Sequence, residues 1–116
     1  MEEKELLRVK GERKAIALLE YYLIVVTDKR AIIGRTKRGH TKFVALTPGW
    51  SKYNGMTPEE ILNADKDNFE VAPSNLELRN GLLSGEAVVK NKKGKKIKIR
   101  MTKGDFNKLK EALQNR

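Results

Sequence analysis

The chain reads as a mainly β protein of the α+β class: antiparallel strands followed by one C-terminal amphipathic helix. Three observations predict it. Residues 22–27 (Tyr-Leu-Ile-Val-Val-Thr) and 31–33 (Ala-Ile-Ile) are β-branched and aromatic runs separated only by Asp28-Lys29-Arg30, the pattern of a hairpin. Near the other end, Ile97, Ile99 and Met101 alternate with Lys96, Lys98 and Arg100, so a strand there has one apolar and one basic face. After Thr102 the period changes, with Phe106, Leu109 and Leu113 at helical intervals and Lys108, Lys110 and Glu111 facing away.

Taken in order, residues 3–19 hold Leu6, Leu7, Val9, Ile16, Leu18 and Leu19, which suit a helix or strands. Gly11 interrupts the helical pattern and Lys10-Gly11-Glu12 has turn character, so two strands about that turn are expected. The hairpin over 18–35 follows. From Gly34 to Tyr53 the pattern fades into Gly39, Pro48 and Gly49, leaving a loop-rich stretch in which Phe43-Val44-Ala45-Leu46 suits one short strand. Thr57-Pro58-Glu59-Glu60 is a helix start: a hydroxyl at the cap, proline in the first turn where its missing N–H costs nothing, and a carboxylate three residues after the cap. That helix runs to about Ala64. Strands are expected over 68–72 and 76–79, bent at Pro73, where a central strand would lose a ladder hydrogen bond. Strands over 86–90 and 96–102 bracket Asn91-Lys92-Lys93-Gly94-Lys95, a turn with the glycine that positive φ favours. Thr102-Lys103-Gly104-Asp105 has the spacing of a helix cap and opens the closing helix, 105–114.

At 116 residues, 39% of them hydrophobic, the chain is the length of one domain, 1–116, with enough apolar side chains for an ordinary core. The absence of cysteine excludes disulfides, thiol nucleophiles, iron–sulfur clusters and thiolate-bound zinc, and a single histidine excludes an imidazole-rich metal site. No stretch approaches the roughly 20 apolar residues that cross a bilayer, and the acidic start Met1-Glu2-Glu3-Lys4-Glu5 is unlike a signal peptide. The expected location is therefore the cytoplasm, with a peripheral place at the membrane if the partner is a lipid headgroup.

The order of these elements, a hairpin reading strand-Thr-Asp-Lys-Arg-strand, later antiparallel strands and a single C-terminal amphipathic helix, resembles the pleckstrin-homology-like (PH-like) domains of bacteria and archaea. Val71-Ala72-Pro73-Ser74-Asn75-Leu76 is similar to that superfold's strand junction, where proline and serine precede an apolar residue. The resemblance covers about two thirds of the chain and leaves residues 39–66 as an insertion. It implies a bent antiparallel sheet, or partly open barrel, with Phe106, Leu109 and Leu113 plugging one end. Phosphoinositide, peptide and scaffolding functions all occur on the superfold, so membership alone selects none of them.

Catalysis has little support. Counting Asp65 as the first position of a calcium loop puts Phe69, Glu70 and Leu76 where a ligand, a glycine and the bidentate glutamate belong. His40, in Arg38-Gly39-His40-Thr41, is expected in a loop; the chain has no cysteine to pair with it, no serine lies in a nucleophile-elbow context, and Gly34 and Gly39 do not make a phosphate loop. No cofactor is implied. Charge is more informative: 25 basic against 15 acidic residues give +10, in two basic clusters, 29–42 and 90–103, that flank an acidic stretch over 57–77. An anionic partner follows, either a lipid headgroup or an acidic protein. The cations expected to bind it are Lys92, Lys93, Lys95, Lys96, Lys98 and Arg100, as one patch on the last strand and its turn, with Arg35, Lys37, Arg38 and Lys42 as a second. The main reading is a noncatalytic binding module. The alternative is a small nucleic-acid-binding protein in which the same lysines meet phosphates and Trp50 and Tyr53 stack on bases. A third is an enzyme holding a metal at 65–70.

Overall fold

The computed structural model describes residues 3–40 and 49–115. Seven strands form one antiparallel sheet: β1 (Glu5–Ala15), β2 (Leu18–Thr27), β3 (Ala31–His40), β4 (Phe69–Val71), β5 (Glu77–Asn80), β6 (Ser84–Lys90) and β7 (Lys96–Thr102). Two α-helices accompany it, α1 (Pro58–Ala64) and α2 (Lys103–Gln114). The strand order β4-β3-β2-β1-β7-β6-β5 puts β4 and β5 at opposite edges. Yet only residues 72–76 join them, and six Cα steps reach at most about 22 Å. Flat strands about 4.8 Å apart would separate the edges by about 29 Å, so the sheet must curl back on itself. The result is a half-closed barrel with α2 against it, the fold class expected from the sequence.

Alternation decides which side chains enter the barrel. Val9, Tyr22, Ile24, Val26, Ile33, Val89, Ile97 and Ile99 face inward and meet Phe106 and Leu109 of α2. The α2 cap is Thr102, whose Oγ1 accepts the Asp105 N–H at 3.2 Å. Phe106 lies so close over Gly85 that any Cβ there would fall 2.1 Å from its ring. Outside the barrel, the segment 50–64 covers the second face of β2 and β3, with Tyr53 and Ile61 fully buried on Leu23, Val25 and Ile32. The α1 start is as expected, with Thr57 Oγ1 accepting the Glu60 N–H and Glu60 Oε1 accepting the Thr57 N–H.

Four expectations need correction. Gly11 lies inside a continuous β1 rather than in a turn. It is glycine because β7 crosses there, and a Cβ would meet Ile99 Cγ2 at 2.4 Å and the Arg100 carbonyl oxygen at 3.0 Å. The reversal comes at Ile16-Ala17, with Ala17 at φ 59. Secondly, β3 continues through Arg35, Lys37 and Arg38 to His40, so residues 34–40 are strand rather than loop and that histidine ends a strand. These polar residues lengthen the strand because β2 supplies the ladder and the inner face at that end lines an open cleft rather than the core. The apolar run 43–46 lies outside the described residues. Thirdly, Pro73 opens a 3₁₀ turn (Pro73–Asn75) that carries the chain from one sheet edge to the other, rather than bending adjacent strands. Lastly, residues 50–68 are packed structure: Asn68 donates to Tyr53 Oη and the Ile61 carbonyl and accepts the Arg35 N–H, while Tyr53 Oη donates to the Arg35 carbonyl at 2.5 Å.

Candidate functional site: a cationic mouth

α2 closes the barrel where β6 begins and β7 ends. The other end, where β6 turns into β7, lies a strand length away, about 20 Å for seven residues, and opens into a cleft of about 290 Å³. Inward positions of β1 and β3 bring Arg13, Arg35 and Arg38 to this mouth, beside Glu20 and Tyr22 of β2, and the β6–β7 turn supplies Lys92, Lys93 and Lys95 at its rim. A register shift between Tyr21 and Tyr22 adds one residue to β3, which is why Arg35 and Arg38, three apart, face the same side. Gly94 gives the turn its positive φ of 78, and Asn91 Oδ1 accepts the Lys93 and Lys95 N–H groups, fixing how the lysines leave it.

The organiser of the mouth is Glu20, which no sequence motif marked. Only 4% exposed, it faces Arg13 at 2.6 Å, Arg35 at 3.3 Å and Arg38 at 3.7 Å. One carboxylate thus gathers three guanidiniums whose mutual repulsion would otherwise spread them. Asp67 pairs with Arg35 at 2.8 Å, so six cations face two carboxylates and the mouth keeps a positive surplus. Burial works against the Arg35 charge, but Glu20 and Asp67 outweigh it and hold its pKa above the usual value. Burial, aided by the nearby Glu20 charge, pushes the Tyr22 phenol well above its usual 10. It stays neutral and forms part of the cleft floor with Phe69 and Ile97. The charge pattern of the 18–20 segment could have pointed to Glu20, because it is the one charge within an otherwise apolar strand.

The structure divides both expected patches. Lys92, Lys93 and Lys95 belong to the mouth, whereas Lys96, Lys98 and Arg100 lie on the outer face of β7, so the six are not one patch. Arg100 is moreover balanced: it pairs with Glu12 at 2.9 Å and stands in a cross-strand row Arg79, Glu86, Arg100, Glu12 of alternating sign. In the second patch Arg35 and Arg38 enter the mouth, Lys37 stands opposite Tyr21 and so leaves by the other face, and Lys42 lies outside the described residues. Tyr53, fully buried, cannot stack on a base. Trp50 stands edge-on to Tyr21 at 5.3 Å with Lys10 Nζ 5.0 Å from its ring centre, which makes it a packing residue of the outer face.

The acidic stretch is also engaged. Glu59 and Glu70 reach Arg30 at 2.6 and 3.1 Å beside Glu3, and Asp65 accepts the Asp67 N–H. Among the described residues no group of three or more histidine or acidic side chains is placed to hold a metal ion, and no helix is long and apolar enough to cross a membrane. Comparison of the chain with protein-family models, curated proteins and solved structures finds no match to any of them.

Proposed function

We propose that the chain is a noncatalytic binding module of the PH-like kind that takes an anionic partner at the mouth of its barrel. The observation that carries this reading is the convergence of Arg13, Arg35, Arg38, Lys92, Lys93 and Lys95 on one open cleft around the buried Glu20. Concave clusters of guanidinium and ammonium groups suit phosphate-bearing groups, which accept forked and single hydrogen bonds from them. A headgroup is favoured over an acidic protein by the β1–β2 hairpin tip: Ile16, between Ala15 and Ala17 and three residues after Arg13 of the mouth, is 100% exposed, a form suited to entering a bilayer surface. Nucleic acid loses its stacking support with Tyr53 in the core.

Sedimentation with phosphatidylserine–phosphatidylcholine vesicles tests the reading. Lys92→Glu/Lys93→Glu/Lys95→Glu is expected to abolish binding with melting unchanged, because all three side chains are exposed. Lys96→Glu/Lys98→Glu on the outer face, and Lys108→Glu/Lys110→Glu on α2, are expected to weaken it only modestly. Equal losses in all three would mean that total charge, not a site, drives binding. Single-stranded RNA that displaces the vesicles through the same rim lysines would transfer the site to the nucleic-acid reading.

A further inference from the structure

A second surface stands apart from the mouth. Gly81 N–H bonds to the Ser84 carbonyl at 2.9 Å, making a tight β5–β6 turn that holds Leu82 and Leu83 out in solvent at 92% and 87% exposure. Beside it runs a groove of about 380 Å³ over the outer crossing of β1 and β7. Leu83 lines it, as does Trp50, and Lys10, Glu12, Arg100 and Asp105 line it as well. Two large exposed leucines at one turn tip cost solubility unless something covers them.

We propose that this surface joins two copies of the chain in a two-fold dimer. Charge selects the occupant. A chain of net charge +10 repels its own copy over most of its surface. Here, however, two cations and two carboxylates cancel, so a second copy meets the least repulsion at this surface, while an anionic partner finds no surplus to attract it. The layout is also self-complementary. A knob, Leu83, and an indole, Trp50, line one groove whose floor carries the Glu12–Arg100 pair at 2.9 Å. A two-fold axis through that floor sets each Leu83 against the partner copy's Trp50 and brings each Arg100 near the other copy's Glu12, the reciprocal arrangement an isologous contact requires.

Trp50 is the only tryptophan, so its emission reports the contact directly. Sedimentation velocity over a concentration series is expected to show a monomer–dimer equilibrium, with Trp50 emission moving to shorter wavelength as the dimer forms. Added salt should tighten it, since screening removes net repulsion, whereas salt weakens binding to anionic vesicles. Leu82→Ser/Leu83→Ser should remain monomeric with unchanged melting, because both side chains are exposed in the monomer. A wild-type chain still monomeric at about 1 mM overturns the proposal. So does a double variant that dimerises like the wild type, or a monomeric wild type whose vesicle binding depends on the two leucines, which would make the tip a membrane contact.

Discussion

Arg30 shows how far a residue's charge in the sequence can differ from its charge in effect. Counted along the chain it belongs to a basic cluster, yet in the structure it is ringed by Glu3 at 2.8 Å, Glu59 at 2.6 Å and Glu70 at 3.1 Å, and the group is net acidic. Thr27, fully buried in the turn before it, donates to Glu3 and accepts the Lys29 and Arg30 N–H groups, which fixes the turn that aims the guanidinium. Hydrogen bonds from Arg30 hold the Glu3 and Glu59 carboxyls below their usual 4.5. A carboxylate whose folded pKa is depressed contributes stability that is present above its unfolded value and lost as pH falls through the folded one. The stability that Arg30 contributes should therefore be full at neutral pH and fade below about pH 4.5. Thermal melts of wild type and Arg30→Ala are expected to differ most at pH 7 and to converge as pH approaches 2. Curves that stay parallel over that range would show that the ion pairs are not the source. The positive end of the molecule, by contrast, depends on Glu20, a negative residue; its place as the one charge in an apolar run marks it, but which cations it gathers follows from the register, set by pairing with β1 and β3 rather than by local sequence.

Among the elements, those written in local chemistry were legible. The β2–β3 hairpin, the β6–β7 turn with its glycine, the capped α1 and the change of period that opens α2 all stand where the residues place them. What could not be read is contact between distant elements. Gly11 looks like a turn residue because its real reason, the passage of β7, comes nearly ninety residues later (Glu12 and Arg100 are 88 apart). The covering segment has no period to read, since Tyr53, Met56 and Ile61 each drop singly onto the outside of the sheet. Contact also governs α2, which is held by the match of Phe106 to a glycine as much as by its apolar face. Gly85→Ala should force the Phe106 ring away from the sheet and cost about 1–3 kcal/mol, the usual range for overpacking. Leu109→Ala, at a fully buried site, should cost about 2–5 kcal/mol. Denaturant melts measure both, and a double variant should cost less than the two added together if both act through α2 docking. An unchanged midpoint for Leu109→Ala would mean that α2 is peripheral to the core.

For the molecule as a whole, composition announced a cationic surface but the sheet decided where it lies. Runs of lysine along a strand are split by alternation between two faces, and charges far apart in the chain are gathered by strands that run side by side. The mouth draws on β1, β2, β3 and the β6–β7 turn, so no window of sequence contains it. The same assembly leaves one weak line. β1 to β4 and β5 to β7 are each locally paired, but the two groups meet through a single ladder pair, Glu12 with Arg100. Closing that seam carries the loop entropy of a long intervening chain, so the halves should form first and join last. In the native protein it should also open first. Amide hydrogen exchange is expected to be slowest in β2, paired on both sides, and fastest among the paired strands along the facing edges of β1 and β7. Equal protection at the seam and in β2 would contradict this. The proposed anion in the mouth would touch Arg13, Arg35 and Arg38 from one half and the turn lysines from the other, and so would brace the two halves together. Slower exchange along the seam on adding inorganic pyrophosphate would then reveal occupancy from a distance, through the strands' breathing.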